Sequence, residues 1–274
     1  MKKSWVSFPY IIWMLMFILI PLILVAYYSL TVQVKGDTIF SLDNFQKFFQ
    51  PVYLRVLLRS LGLALISTVC CLVLGYPVAM ILADKELSKR NFFILLFVLP
   101  MWMNLLLRTY AWMALLERKG LINSFLSSID LPTVNLLYTN FAVVLGMVYN
   151  FLPFMVLPIY SVLRKIDYHL VEAAEDLGAD SFTVFRRVIF PLSLPGVISG
   201  ITMVFMPAVS TFVISRLLGG GQFALIGNLI EQQFLFVGDW HFGSALSIVM
   251  MVLILISMVL MPKSSRDSVG GGLW

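Results

Sequence analysis

Charge is what this sequence has least of. Asp, Glu, Lys and Arg make up 12% of its 274 residues against 60% hydrophobic, and the mean hydropathy is +0.95. A soluble domain carries about 25% charged residues, and a soluble chain of this composition would expose far more contiguous apolar surface than solubility allows. Cysteine is scarce as well. Cys70 and Cys71 are adjacent, which excludes an ordinary disulfide between them and any C-x-x-C redox or zinc spacing, and leaves them as small buried hydrophobes.

Other absences narrow the chemistry. The G-x-x-x-x-G-K-[ST] loop that cradles nucleotide phosphates is missing, and Gly219-Gly220-Gly221 runs on into Gln222 and Phe223, so the chain does not power itself with ATP. The two histidines, His169 and His241, fall on opposite sides of the membrane in the topology below and cannot share a metal; no metal and no cofactor is expected. Carboxylates are almost missing from the apolar segments, where an ion-coupled secondary transporter holds its coupling groups. Ser67, Ser161, Ser199 and Ser210 have no base at helical spacing on their own segments, which argues against an intramembrane enzyme.

What remains is an integral membrane protein. A helix needs about 20 apolar residues to cross a hydrocarbon core, and uncharged runs of that order extend over Phe8–Leu30, Ser60–Ala83, Phe141–Leu163, Pro195–Ser215 and Phe242–Pro262. A sixth, from Asn91 to Leu116, is interrupted only by Arg108. With the second run beginning at about residue 57, the expectation is an all-α integral membrane fold, six transmembrane helices in a single domain over residues 1–274. Pro77, Pro153, Pro158 and Pro207 lie inside spans and are expected to kink them. The first run is longer than a signal-peptide core and ends without an A-x-A-like site, so it reads as a retained span.

Basic residues set the orientation, since Lys and Arg in short loops stay cytoplasmic. With both termini inside, the inner segments hold Lys2, Lys3, Lys85, Lys89, Arg90, Arg164, Lys165, Arg186, Arg187, Lys263 and Arg266, 11 of the 19 basic residues. The longer outer segments hold the rest at lower density. The net charge of +5 thus reads as topology; without an aromatic-basic patch it gives no nucleic-acid footprint. Outside, Ser41 is placed to cap a short helix carrying Leu42, Phe45, Phe48 and Phe49 on one face. Beyond Gly219–Gly221, the sequence predicts a short interfacial or re-entrant helix, with Trp240 at headgroup level.

The most charged interruption, residues 167–190, is also ordered. Leu170, Ala173, Ala174 and Leu177, then Phe182, Phe185, Val188 and Ile189, recur at helical spacing, predicting two short amphipathic helices. Gly178 stands between them, where a glycine accepts the left-handed backbone that ends a helix, and Asp180 or Ser181 can cap the next. Fixed on both sides by spans 4 and 5, this cytoplasmic helix-turn-helix is shaped to engage something in the aqueous phase.

Glu172-Ala173-Ala174, Gly178, Ile189 and Pro191 resemble the EAA loop of permease subunits of bacterial type I ABC importers. Leu42-Asp43-Asn44-Phe45, Leu74-Gly75-Tyr76-Pro77, Leu99-Pro100-Met101-Trp102, Asn104 with Arg108 and Tyr110, Leu152-Pro153-Phe154-Met155 and Leu225-Ile226-Gly227-Asn228 extend the resemblance from about Phe8 to Pro262. Within that family the chain is most similar to the first permease of spermidine/putrescine importers. The resemblance implies a non-enzymatic subunit of the bacterial inner membrane working with a second homologous permease, two cytoplasmic ATP-binding subunits and an extracytoplasmic polyamine-binding protein. It makes Glu172, Ala173, Ala174, Gly178, Phe182 and Phe185 the ATPase-coupling set. Candidate stations for a polycation, offering carboxylates, amide groups or aromatic faces, are Trp102, Tyr110, Tyr149, Asn150, Glu231, Asp239 and Trp240. A permease for an anion or for iron is the alternative within the family, and a non-transport membrane scaffold lies outside it. Arg108 is expected to pair with Glu117 or a loop carbonyl, or to lie near the outer interface.

Overall fold

The computed structural model describes residues 8–34, 37–84, 92–221 and 224–260. Lys2, Lys3, Lys85, Lys89, Arg90, Asn91, Gln222, Phe223, Pro262, Lys263 and Arg266, all used in the sequence reading, lie outside these residues. Five described helices are long and apolar enough to cross a membrane, and a bent pair makes a sixth crossing if counted as one span.

The helices are α1 Phe8–Ser29, α2 Asp43–Phe48, α3 Pro51–Ala83, α4 Phe92–Val98, α5 Leu105–Leu116, α6 Leu121–Ser128, α7 Asn140–Leu163, α8 His169–Asp176, α9 Ser181–Ser210, α10 Val213–Leu218, α11 Ile226–Gln232 and α12 Trp240–Leu260. Between α1 and α2 the chain forms an antiparallel ribbon, β1 Thr31–Val34 with β2 Asp37–Phe40, pairing Thr31 with Phe40 and Val34 with Asp37. Its T-V-Q-V and D-T-I-F runs are too short to stand out beside spans of 20 residues, and the ribbon is an addition to the expected helices.

Three helices, α3, α7 and α9, pack on one another and form the core, while α1 lies chiefly along α12. No residue in the apolar window of α1 is buried, as befits a helix whose solvent is lipid. Close approach in the core is set by glycine. A Cβ on Gly75 of α3 would stand 3.1 Å from Met155 Cγ and 3.2 Å from Val156 Cγ2 of α7. From the other side, a Cβ on Gly196 of α9 would stand 2.9 Å from the Pro158 carbonyl oxygen.

Several expected boundaries move, each for a local reason. The second span begins at Pro51 and runs 33 residues, because proline is favoured in the first helical turn and nothing breaks the chain before Asp84. The expected span from 91 to 116 is not continuous. It is bent by 96° between Trp102 and Leu105, where the 3-10 turn that holds Pro100 ends and the Asn104 side chain accepts from Leu106 N at 2.8 Å to cap a new helix. The fifth span stops at Ser210: Thr211 is extended, and Ser215 belongs to α10. Asn228 fixes that break, donating from Nδ2 to Phe212 O at 2.9 Å and accepting from Leu225 N and from Ser215 Oγ.

The π-helical segments Leu15–Leu19 and Phe185–Ile189 each end two residues before a proline, Pro21 and Pro191. The missing proline N–H frees the carbonyl four residues earlier, at Phe17 or Arg187, and the widened turn falls where that bond is lost. In consequence the second helix of the 167–190 loop is not separate. It is the first turn of α9, carried through the π segment into the span.

Candidate functional site

At the loop end the termini of α3 and α7 meet the start of α9, and α8 lies across them. A cleft of about 210 Å³ between them is lined by Ala83, Asp84, Arg164, Tyr168, Val171 and Ile189 among others. The turn after α8 follows local rules. Gly178 has φ +82°, its N–H donates to Glu175 O at 2.8 Å, and Ala179 N donates to Ala174 O at 3.1 Å. That bond pair is a Schellman motif, which satisfies the last carbonyls of α8 and requires the left-handed residue that glycine supplies. Asp180 then caps α9 in extended backbone.

The Thr183 hydroxyl donates to the Asp180 carboxylate and, with neighbouring backbone N–H groups, holds it below the usual aspartate range. A depressed carboxyl pKa gives stability that is present above the ordinary value and lost only as pH falls through the lowered one. The turn is therefore insensitive to pH across the neutral range.

Around this turn the surface is unlike that of a solvated loop. Glu172 is exposed and lies 2.9 Å from His169 Nδ1, so its second oxygen is free for another donor. Leu177 is 89% and Phe182 67% exposed. Beside them an open hollow of about 410 Å³ is lined by Ala174, Leu177, Gly178, Asp180, Thr183 and Arg187. Ala173 is exposed and Ala174 half-buried. Phe185 is turned the other way: its ring packs edge-on to Tyr76 at 5.8 Å. Of the six residues in the coupling set, five border the outer face of the turn and one faces the bundle.

The pathway candidates are not gathered into one site. Trp102, 77% exposed, stands at the bend of the α4–α5 pair, and Tyr110 is exposed on α5. Tyr149 packs edge-on to Trp112 at 5.3 Å. Asn150 is 2% exposed; its Nδ2 donates to Gly146 O at 2.8 Å, and its Oδ1 has no hydrogen-bond partner among the described residues. Glu231 accepts from Arg216 Nη1 at 2.8 Å. Asp239 lies 3.5 Å from Lys47 Nζ and accepts from Phe242 N at 3.0 Å, capping α12. Both carboxylates thus have a cationic partner. Trp240 lies tilted against Tyr28 at 6.4 Å and edge-on to Phe234 at 5.4 Å.

Arg108 is 9% exposed, and its Nε has no hydrogen-bond partner among the described residues. No ion pair to Glu117 forms among the described residues. Nine residues along one helix is two and a half turns, which puts Glu117 on the opposite face of α5. Because Asp239 caps α12 as well as pairing with a surface lysine, Asp239→Ala is expected to cost about 1 kcal/mol, most of it from the cap; Asp239→Asn, which can still cap, should cost less. Thermal unfolding of the detergent-purified protein reads the difference.

The sequence reading missed Gly196 and Gly200, although G-x-x-x-G inside an apolar segment is the signal for close helix contact. It also passed over the capping pattern of Asn104 and the bracing role of Asn228.

Long apolar helices, a bent pair and a helix-turn-helix that joins two spans define a polytopic helical membrane protein. The match to known proteins is more specific. The chain belongs to the binding-protein-dependent transport system inner membrane component family, which matches residues 75–266. It is 40% identical over 260 residues to the spermidine/putrescine transport system permease protein PotB of Escherichia coli, covering 93% of this chain and 94% of that one. To the PotB of Haemophilus influenzae it is 38% identical, covering 93% and 91%. Its fold is similar to the crystal structure of a bacterial alginate ABC transporter in complex with alginate pentasaccharide-bound periplasmic protein, with a TM-score of 0.81 and 19% identity, covering 99% of this chain and 98% of that one. The chain is a multi-pass inner-membrane permease subunit of an ABC importer and is not itself an enzyme.

Proposed function

We propose that this chain is one permease of an ATP-driven importer for spermidine and putrescine. The observation that carries the reading is 40% identity along nearly the whole length of a spermidine/putrescine permease, a similarity that reaches the outer segments as well as the coupling turn. Residues 1–274 work as a single permease domain with both termini in the cytoplasm. The chain pairs with a second, homologous permease, receives polyamine from an extracytoplasmic binding protein, and meets two cytoplasmic ATP-binding subunits.

Coupling runs through α8 and its turn. Glu172 presents a carboxylate, Ala173 and Ala174 allow close approach, Gly178 sets the turn, and the exposed Leu177 and Phe182 give the partner an apolar contact. Closure of the ATP-binding subunits moves this element and switches the permease pair between inward- and outward-open states. Along the pathway, Trp102, Tyr110 and Tyr149 offer aromatic faces to ammonium groups, Asn150 offers an amide oxygen, and Glu231, Asp239 and Trp240 stand at the outer end.

The test is uptake of labelled spermidine by cells lacking this chain, with and without its restoration, competed by putrescine, sulfate and ferric iron. Restored uptake that putrescine alone competes is the expected result. Restored sulfate uptake with spermidine uptake unaffected would overturn the substrate.

A further inference from the structure

We infer that Tyr76 is the positioning residue that passes motion of the coupling turn from the fifth span to the second. The inference rests on the reading that α8 docks on an ATP-binding subunit, and it concerns what happens beyond that contact. The turn leads into α9 through the π-helical segment Phe185–Ile189. Its widened turns, with the backbone donors missing at Pro191 and Pro195, leave this part of the helix with fewer α-helical hydrogen bonds. A displacement at α8 would be absorbed there unless something tied this region to the bundle.

Tyr76, on α3 and 8% exposed, is that tie. Its ring meets Phe185, the first residue of the π segment, edge-on at 5.8 Å and Phe190, the residue just after that segment, at a tilt at 6.0 Å. Its hydroxyl lies 2.8 Å from Ser193 Oγ, and Ser193 is fully buried. Ser193 Oγ also contacts Phe190 O at 2.9 Å. A carbonyl can only accept, so the serine proton is committed to Phe190, and Tyr76 is the donor to Ser193. A directed chain of hydrogen bonds, Tyr76 to Ser193 to Phe190, therefore crosses from α3 to α9 just past the π segment.

The same stretch of α3 is locked to α7. Gly75, next to Tyr76, brings the backbone of α3 so close that an added Cβ would crowd Met155 and Val156. Movement of the start of α9 is thus delivered to α3 through Tyr76 and from there to α7, so that all three core helices respond together. Removing the hydroxyl leaves both aromatic contacts in place and leaves Ser193 its bond to Phe190, which makes Tyr76→Phe a variant that should fold as the original does.

The experiment uses the complete transporter, this chain with its second permease and ATP-binding subunits, in proteoliposomes supplied with the binding protein and labelled spermidine. For Tyr76→Phe, the expected result is retention of the ATP-binding subunits, a melting temperature lowered by only about 2–4 °C, and a roughly fivefold fall in spermidine transported per ATP hydrolysed, both the size expected for losing one buried hydrogen bond. Ser193→Ala should show the same fall, and the double variant should be no worse than either alone. Transport per ATP within twofold of the original, with the subunits retained, would overturn the role given to Tyr76 while leaving the docking reading intact. Normal assembly and transport by Glu172→Lys would instead overturn the docking reading, and this inference with it.

Discussion

Replacing Glu172 by lysine is expected to abolish uptake and release the ATP-binding subunits, with the permease still folded in the membrane. Glu172 is exposed, and its one close partner, His169, is a surface neighbour on the same helix. Such pairs contribute about 0–1 kcal/mol, so unfolding cannot be the cause of a large defect. Reversing a charge that meets donors in a desolvated interface costs about 2–5 kcal/mol, or about thirtyfold or more in affinity. Copurification of the ATP-binding subunits with the tagged permease reads this directly; undiminished copurification and uptake would remove Glu172 from the interface.

Gly178 supplies an internal control. Nothing lies within 4 Å of a Cβ placed there, so a substitution acts only through its φ of +82°. Gly178→Val forces a β-branched residue into left-handed backbone at a cost of about 1–2 kcal/mol, whereas Gly178→Asn tolerates it. Uptake should fall in the valine variant and survive in the asparagine variant. Equal activity of the two would mean that the turn's geometry is not what coupling needs.

The turn at Gly178 was readable in the sequence because its determinants are local. Ala174, Gly178 and Asp180 make the Schellman motif and the next cap within seven residues, and no distant contact is needed to form them. The spans were readable from apolar length alone. What length cannot show is a break inside an apolar run: the chain turns by 96° between Trp102 and Leu105, and only Pro100 and Asn104 betray it. Nor does an apolar segment declare its inward face. Tyr76 and Ser193 are 117 positions apart, and their pairing depends on how α3 and α9 are rotated against each other. The pathway residues were chosen for chemistry rather than for position, which is why the fold leaves them dispersed and finds partners for Glu231 and Asp239 that residue type alone did not foretell.

Gly200→Leu should have the largest effect on the folded protein itself, because the spot it occupies is where two backbones touch. Without a hydrophobic force between helices in lipid, association depends on close packing, and small residues four apart let backbones meet. Gly196 and Gly200 form such a pair on α9, facing Met155, Pro158 and Ile159 of α7. A Cβ at Gly200 would lie 2.7 Å from Met155 Sδ and 3.0 Å from Met155 O. The sulfur could move aside, but the carbonyl belongs to the centre of a helix that also packs against α3. Alanine at this position is therefore expected to cost about 1–3 kcal/mol, read as a lower melting temperature. Leucine, with three more carbons to place, should force α9 off α7 and reduce the yield of monodisperse protein at least tenfold. Gly62 provides the contrast: it is also inside a long span, yet nothing lies within 4 Å of its added Cβ. Gly62→Ala should leave the yield unchanged and gain up to about 1 kcal/mol in helix propensity. If Gly200→Leu purified as well as Gly62→Ala, the contact between α7 and α9 could not be what holds the three-helix core together.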